Sequence, residues 1–97
     1  MFWGKIFYSK DDIVVAICDE KLLDKKIKYG DVKINVSKYF YGGQLIDKEY
    51  AIKLMEKSTV GNLIGEEIVG IAMENGFIVK ENIISINGIP HAQFVKI

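Results

Sequence analysis

The sequence predicts an α+β fold, a mainly antiparallel sheet with two helices packed on it. Three observations carry this. Asn87-Gly88, set between the apolar runs Ile83–Ile86 and Ile89 onward, is the dipeptide that two-residue β-hairpins favour, because both residues accept positive φ. Ile13–Cys18 is a continuous, largely β-branched run, as expected of a strand covered on both faces. Asp47–Lys57 and Ser58–Gly76 instead space their apolar residues as helices do.

Taken in order, Lys5–Tyr8 reads as a strand and Ser9-Lys10-Asp11-Asp12 as a polar turn, so Ile13–Cys18 forms the second, central arm of a hairpin. Asp19 suits the cap of a short helical turn over Glu20–Lys25, which Tyr29-Gly30 closes off. Val32, Ile34 and Val36 alternate with Lys33 and Asn35, the pattern of a half-buried strand. Tyr39-Phe40-Tyr41-Gly42-Gly43 reads as a strand end or an ordered loop. Asp47 is the expected N-cap of a helix reaching Lys57, with Tyr50, Ala51, Leu54 and Met55 as its apolar stripe.

The Ser58–Gly76 stretch is expected to be the organising helix. Val60, Ile64, Ile68, Val69, Ile71 and Ala72 fall on one half of a cylinder, with Glu66, Glu67 and Glu74 on the other. Gly61, Gly65, Ala72 and Gly76 would line a seam that lets the helix lie close on the sheet. Thr59 or Asn62 would cap its start and Asn75-Gly76 would end it. Phe77–Val79 and Ile83–Ile86 read as strand, and the Asn87-Gly88 turn pairs Ile86 with Ile89 and Ile84 with His91. Pro90 has no amide hydrogen, which predicts that the last strand is an edge or begins late.

Ninety-seven residues suit one domain, 1–97, with a modest core. The formal charge is zero, so no global charge points to nucleic acid or membrane. No apolar run approaches a membrane span, and Met1-Phe2-Trp3-Gly4-Lys5 is not followed by the apolar core of a signal peptide. One cysteine and one histidine exclude an internal disulfide and any metal site built from several of these residues; the cysteine usage suits a reducing cytoplasm. All thirteen basic residues are lysine, so no guanidinium fork is available for phosphate or carboxylate.

Four places are candidates for chemistry. Cys18-Asp19 ends a strand, but a carboxylate raises the pKa of a neighbouring thiol, so a buried small hydrophobe and a helix cap are the simpler roles. His91 can serve as a general base if a nucleophile lies near; a packed structural histidine is the simpler role. Gly61, Asn62 and Gly65 at a helix start can offer amides to a phosphate, although the spacing is not that of a P-loop. Between Lys21 and Tyr41, six lysines against Asp24 and Asp31 leave +4, so the rest of this neutral chain carries −4. Tyr29, Tyr39, Phe40 and Tyr41 are interleaved with those lysines. Lysine for the backbone and aromatics for stacking is how single strands are held, and a solvated strand face above core aromatics has the same composition. Glu66-Glu67 and Asp11-Asp12 make no acid–base pair.

The Cys18-Asp19-Glu20 box with Leu22-Leu23, Phe40-Tyr41-Gly42-Gly43, Asn62-Leu63-Ile64-Gly65 and Gly88-Ile89-Pro90-His91-Ala92-Gln93 occur in the order and spacing of a known family. Along nearly its whole length the chain resembles short archaeal proteins of unknown function, domain-of-unknown-function family 424. The resemblance implies an archaeal cytoplasmic protein, with a translation-related role as one expectation and no activity to carry over. The favoured expectation is a non-enzymatic binding module for RNA or a protein partner, acting through Lys25, Lys26, Lys28, Tyr41 and Gly42. The alternative is a small-molecule or enzymatic pocket around Asn62, Gly65 and His91. No cofactor motif is present. A homodimer is permitted by the edge near Pro90 and by Leu63 and Met73, both placed outward on the expected helix.

Overall fold

A computed structural model describes residues 1–97. Six strands form one sheet in the order β5-β1-β2-β6-β8-β7: β1 (Phe2–Tyr8), β2 (Ile13–Asp19), β5 (Gln44–Ile46), β6 (Val60–Ile64), β7 (Ile83–Ile86) and β8 (Ile89–Val95). All neighbours are antiparallel except the central pair, where β2 runs parallel to β6. Helices α2 (Lys48–Lys57) and α3 (Glu66–Glu74) cover one face. A separate hairpin, β3 (Lys26–Tyr29) and β4 (Val32–Asn35), with the one-turn helix α1 (Lys38–Tyr41), covers the other. The fold is therefore α+β, as expected, with one parallel pair and a third, short helix added.

The central position of β2 follows from its composition. Val15 and Ile17 point into the larger core, against Leu54, Met55, Ile68 and Ala72, while Ala16 and Cys18 point into the smaller one, against Ile27, Val36 and Tyr41. A strand with apolar side chains on both faces is stable only when both faces are covered.

The main departure from the sequence reading lies in Ser58–Gly76. Val60–Ile64 is strand rather than helix, and only Glu66–Glu74 is helical. Gly65, at φ +125°, is the break, a conformation that favours glycine. Thr59 and Asn62 therefore do not cap α3. Thr59 Oγ1 accepts from the amide of Ile13 at 2.9 Å and donates to Asp12 Oδ1 at 2.9 Å, tying the β1–β2 turn to β6. Gly61 lies against the ring of Phe94, which fills the space a side chain would need. Leu63 is fully buried, not outward; Met73 is exposed as expected.

Smaller departures have local causes. Glu20–Lys25 holds only a 3-10 turn over Glu20–Leu22, after which the chain enters β3. Tyr39–Tyr41 is helical because Ser37 Oγ accepts from the amides of Tyr39 at 3.0 Å and Phe40 at 3.3 Å. Gln44–Ile46 is a strand too short to show a period. Phe77–Val79 is not strand: the chain leaves α3 and makes a second 3-10 turn at Lys80–Asn82. Asp47 does cap α2, accepting from Tyr50 N at 2.8 Å, but Tyr50 itself is exposed rather than part of the stripe.

The Asn87-Gly88 hairpin forms with the expected register, Ile86 opposite Ile89 and Ile84 opposite His91, and both turn residues have positive φ. The strand that follows is not an edge; β8 lies between β6 and β7, and β7 is the edge. Pro90 is accommodated because its carbonyl accepts from Gly65 N at 2.9 Å. The nitrogen of a strand residue faces the same side as its carbonyl, so the missing donor falls just beyond the last β6 pair, Ile64 with His91.

Candidate functional site: a lysine-faced hairpin and a half-buried polar cluster

Six of the eight candidate binding residues fall into two groups on the same side of the sheet, and Gly42 and Gly65 lie outside both. Lys25, Lys26 and Lys28 are exposed at and on β3. The segment Lys-Ile-Lys-Tyr alternates, so Ile27 is buried toward the sheet and Lys26 and Lys28 face out. Gly30-Asp31 forms the two-residue turn, with Gly30 at φ +63°, and sets Lys28 directly opposite Lys33.

Val36 N donates to Lys25 O at 2.8 Å. Counting by twos from that bonded pair makes Ile27–Ile34 and Tyr29–Val32 the hydrogen-bonded positions, and Lys28–Lys33 a non-bonded one. Opposed side chains are closest at non-bonded positions, and like charges there are destabilising. The hairpin thus presents Lys26, Lys28 and Lys33 on one outward face. Lys33 belongs to the lysine-rich segment read from sequence, but its place opposite Lys28 was not foreseen because it depends on β3 being a strand; the Lys-Ile-Lys-Tyr alternation and the Gly-Asp dipeptide were the available signals.

Tyr41, Asn62 and His91 meet beneath this layer. The Tyr41 hydroxyl donates to Asn62 Oδ1, and His91 Nε2 lies 3.2 Å from the same oxygen. Since an amide oxygen only accepts, this arrangement assigns the proton of neutral His91 to Nε2. Burial holds His91 below the usual histidine range and raises Tyr41 above the usual phenol range, with nearby Cys18 adding to the latter. The Cys18 thiol is pushed up to about 12 by burial first and then by Asp19, so it is held as a thiol. Both Tyr41 and Cys18 belong to the smaller core.

Gly65 is not part of this cluster. It lies beside Asp19, whose carboxylate accepts from Glu67 N at 3.0 Å and Ile68 N at 2.9 Å. Asp19 therefore caps α3 and not the 3-10 turn that follows it. Burial pushes its carboxyl above the usual range, and the two amides pull it back. Of the amides expected to offer a phosphate site, those of Gly61 and Asn62 lie within β6, between β2 and β8, and that of Gly65 donates to Pro90 O; at the actual start of α3 the amides of Glu67 and Ile68 are taken by Asp19. Gly42 ends α1, where an added side chain would collide with Lys38 O. Cavities of about 250 to 570 Å³ lie at the surface, and neither Asn62 nor His91 lines any of them.

A second basic and aromatic group adjoins the hairpin layer. Lys5 Nζ donates to Tyr39 O at 2.7 Å and sits 4.8 Å from the Tyr39 ring centre and 5.2 Å from that of Phe7. Phe7 stacks on Phe40 at 5.4 Å between centres. Tyr39 is 82% exposed.

No helix is long and apolar enough to cross a membrane. No curated protein matches the chain. A solved structure, that of an uncharacterized conserved protein from Methanopyrus kandleri, superposes with a TM-score of 0.83 at 26% identity, covering 99% of this chain and 93% of that one. The model of the family described as protein of unknown function (DUF424) matches residues 7–97, and the chain belongs to that family.

Proposed function

We propose that the protein is a non-enzymatic binding module whose β3–β4 face holds the phosphate backbone of RNA. The observation that carries this is Lys28 set opposite Lys33 at a close cross-strand position, with Lys26 on the same outward face. That arrangement costs the isolated chain stability. A polyanion lying across the hairpin removes the repulsion and gains charge-assisted contacts. Lysines supply charge without the fork geometry that reads base edges, so the contact is to the backbone and is not sequence-selective.

The test is binding of a labelled RNA to the full chain as salt is raised. Affinity should fall linearly in the logarithm of salt concentration, with a slope of about −0.7 for each phosphate neutralised on a single strand. Charge reversal at Lys28 and Lys33 together should abolish most of the binding and flatten the slope. Binding that ignores salt, or that survives the double reversal, removes this reading. Equal affinity for polyglutamate would redirect it to an acidic protein surface.

A further inference from the structure

We infer that Tyr39 is a stacking platform for an unpaired base, so that the substrate class is single-stranded rather than duplex RNA. The inference rests on the backbone-binding role of the β3–β4 hairpin. Ser37, the N-cap of α1, lies two residues past the end of β4, and Ile27, Val36 and Tyr41 share one core, so hairpin and α1 form a single layer on one side of the sheet. On the surface of that layer Tyr39 stands 82% exposed.

An aromatic ring that is merely buried leftover would pack inward, as Tyr41 does at 7% exposure in the same helix. Tyr39 is instead held out and braced. Lys5 Nζ bonds its carbonyl at 2.7 Å and lies 4.8 Å from its ring centre, and the neighbouring Phe40 is stacked on Phe7. Bracing lowers the ordering cost of a contact made through the ring. A base can stack on the ring face opposite the Lys5 ammonium, whose charge adds to the attraction for the strand's phosphates. Bases in a duplex are already stacked on each other and cannot reach the ring.

Anisotropy titrations with a short oligouridylate and with a duplex of matching length test this. Tyr39→Ala should weaken oligouridylate binding about tenfold at every salt concentration, leaving the salt slope and duplex binding unchanged. Tyr39→Phe, which keeps the ring, should restore binding. Because Tyr39 is exposed, both variants should melt as the parent does, and the melt is recorded alongside. If Tyr39→Ala binds the single strand as the parent does, or Tyr39→Phe is as weak as Tyr39→Ala, the platform is overturned while reversal at Lys28 and Lys33 still reports on the hairpin. If the parent binds neither RNA, both readings fall.

Discussion

Asp19 lies 48 residues from Glu67 and 49 from Ile68, yet its carboxylate takes the amide hydrogens of both. The distance is closed by the parallel pairing of β2 and β6: Cys18 is level with Ile64, so the residues that follow this pair, Asp19 at the end of β2 and Gly65 just past β6, meet. Gly65 is needed there for a second reason, since any side chain would strike the Asp19 carboxylate. Removing the carboxylate exposes two amide donors at the start of α3, one of them buried. Asp19→Ala should therefore cost about 2 kcal/mol, combining a lost cap with an unsatisfied buried donor. Asp19→Asn keeps one acceptor oxygen and should lose clearly less. Urea unfolding with an unchanged m-value is the measurement; an alanine variant as stable as the parent would show that α3 does not depend on this cap.

The two elements built around glycine differ in what the glycine does. In β6, Gly61 leaves room for the Phe94 ring across the β6–β8 pair. In α3, Gly70 has nothing within 4 Å of where a side-chain carbon would stand. Gly70→Ala should then stabilise the protein by up to about 1 kcal/mol, the helix-interior difference between the two residues. Gly61→Ala should destabilise it, and a thermal melt of both variants separates the cases. Residue spacing shows why sequence misjudged this region. Gly61 and Gly65 are four residues apart and Val60, Ile64 and Ile68 repeat at the helical interval. A strand buried on both faces has no alternation to contradict them. Elements with their own local signals were readable: the β1–β2 hairpin, α2 from Asp47 and its stripe, and the β7–β8 hairpin from Asn87-Gly88. The candidate site was half readable. Lys26, Lys28 and Lys33 stood out by charge, whereas the Lys28–Lys33 pairing and the Lys5–Tyr39 contact depend on strand register and on packing between separate parts of the chain.

Across the whole molecule the sheet separates two cores of unequal size. The larger lies under α2 and α3; the smaller holds Ile27, Val36 and Tyr41 under the hairpin layer. The centre of the sheet, β2 and β6, is fastened on both edges and both faces, whereas β3–β4 is a two-stranded sheet anchored mainly through Ile27 and the half-buried Ile34. A two-stranded hairpin is marginal without such packing, and Lys28 opposite Lys33 weakens it further. Local openings should thus be ordered in free energy. In native-state hydrogen exchange, the amides of Ile17 and Leu63 should exchange only by global unfolding, and those of Ile27 and Ile34 by a smaller opening with weak urea dependence. Salt adds a sign. Screening the lysine repulsion should raise protection at Ile27 and Ile34 while leaving the central pair unmoved, because an exposed pair is screened and a buried apolar strand carries no charge to screen. Equal protection in the two regions, or a hairpin indifferent to salt, would mean that the lysine face costs the fold nothing. The physical reason for expecting an anionic partner on that face would then be gone.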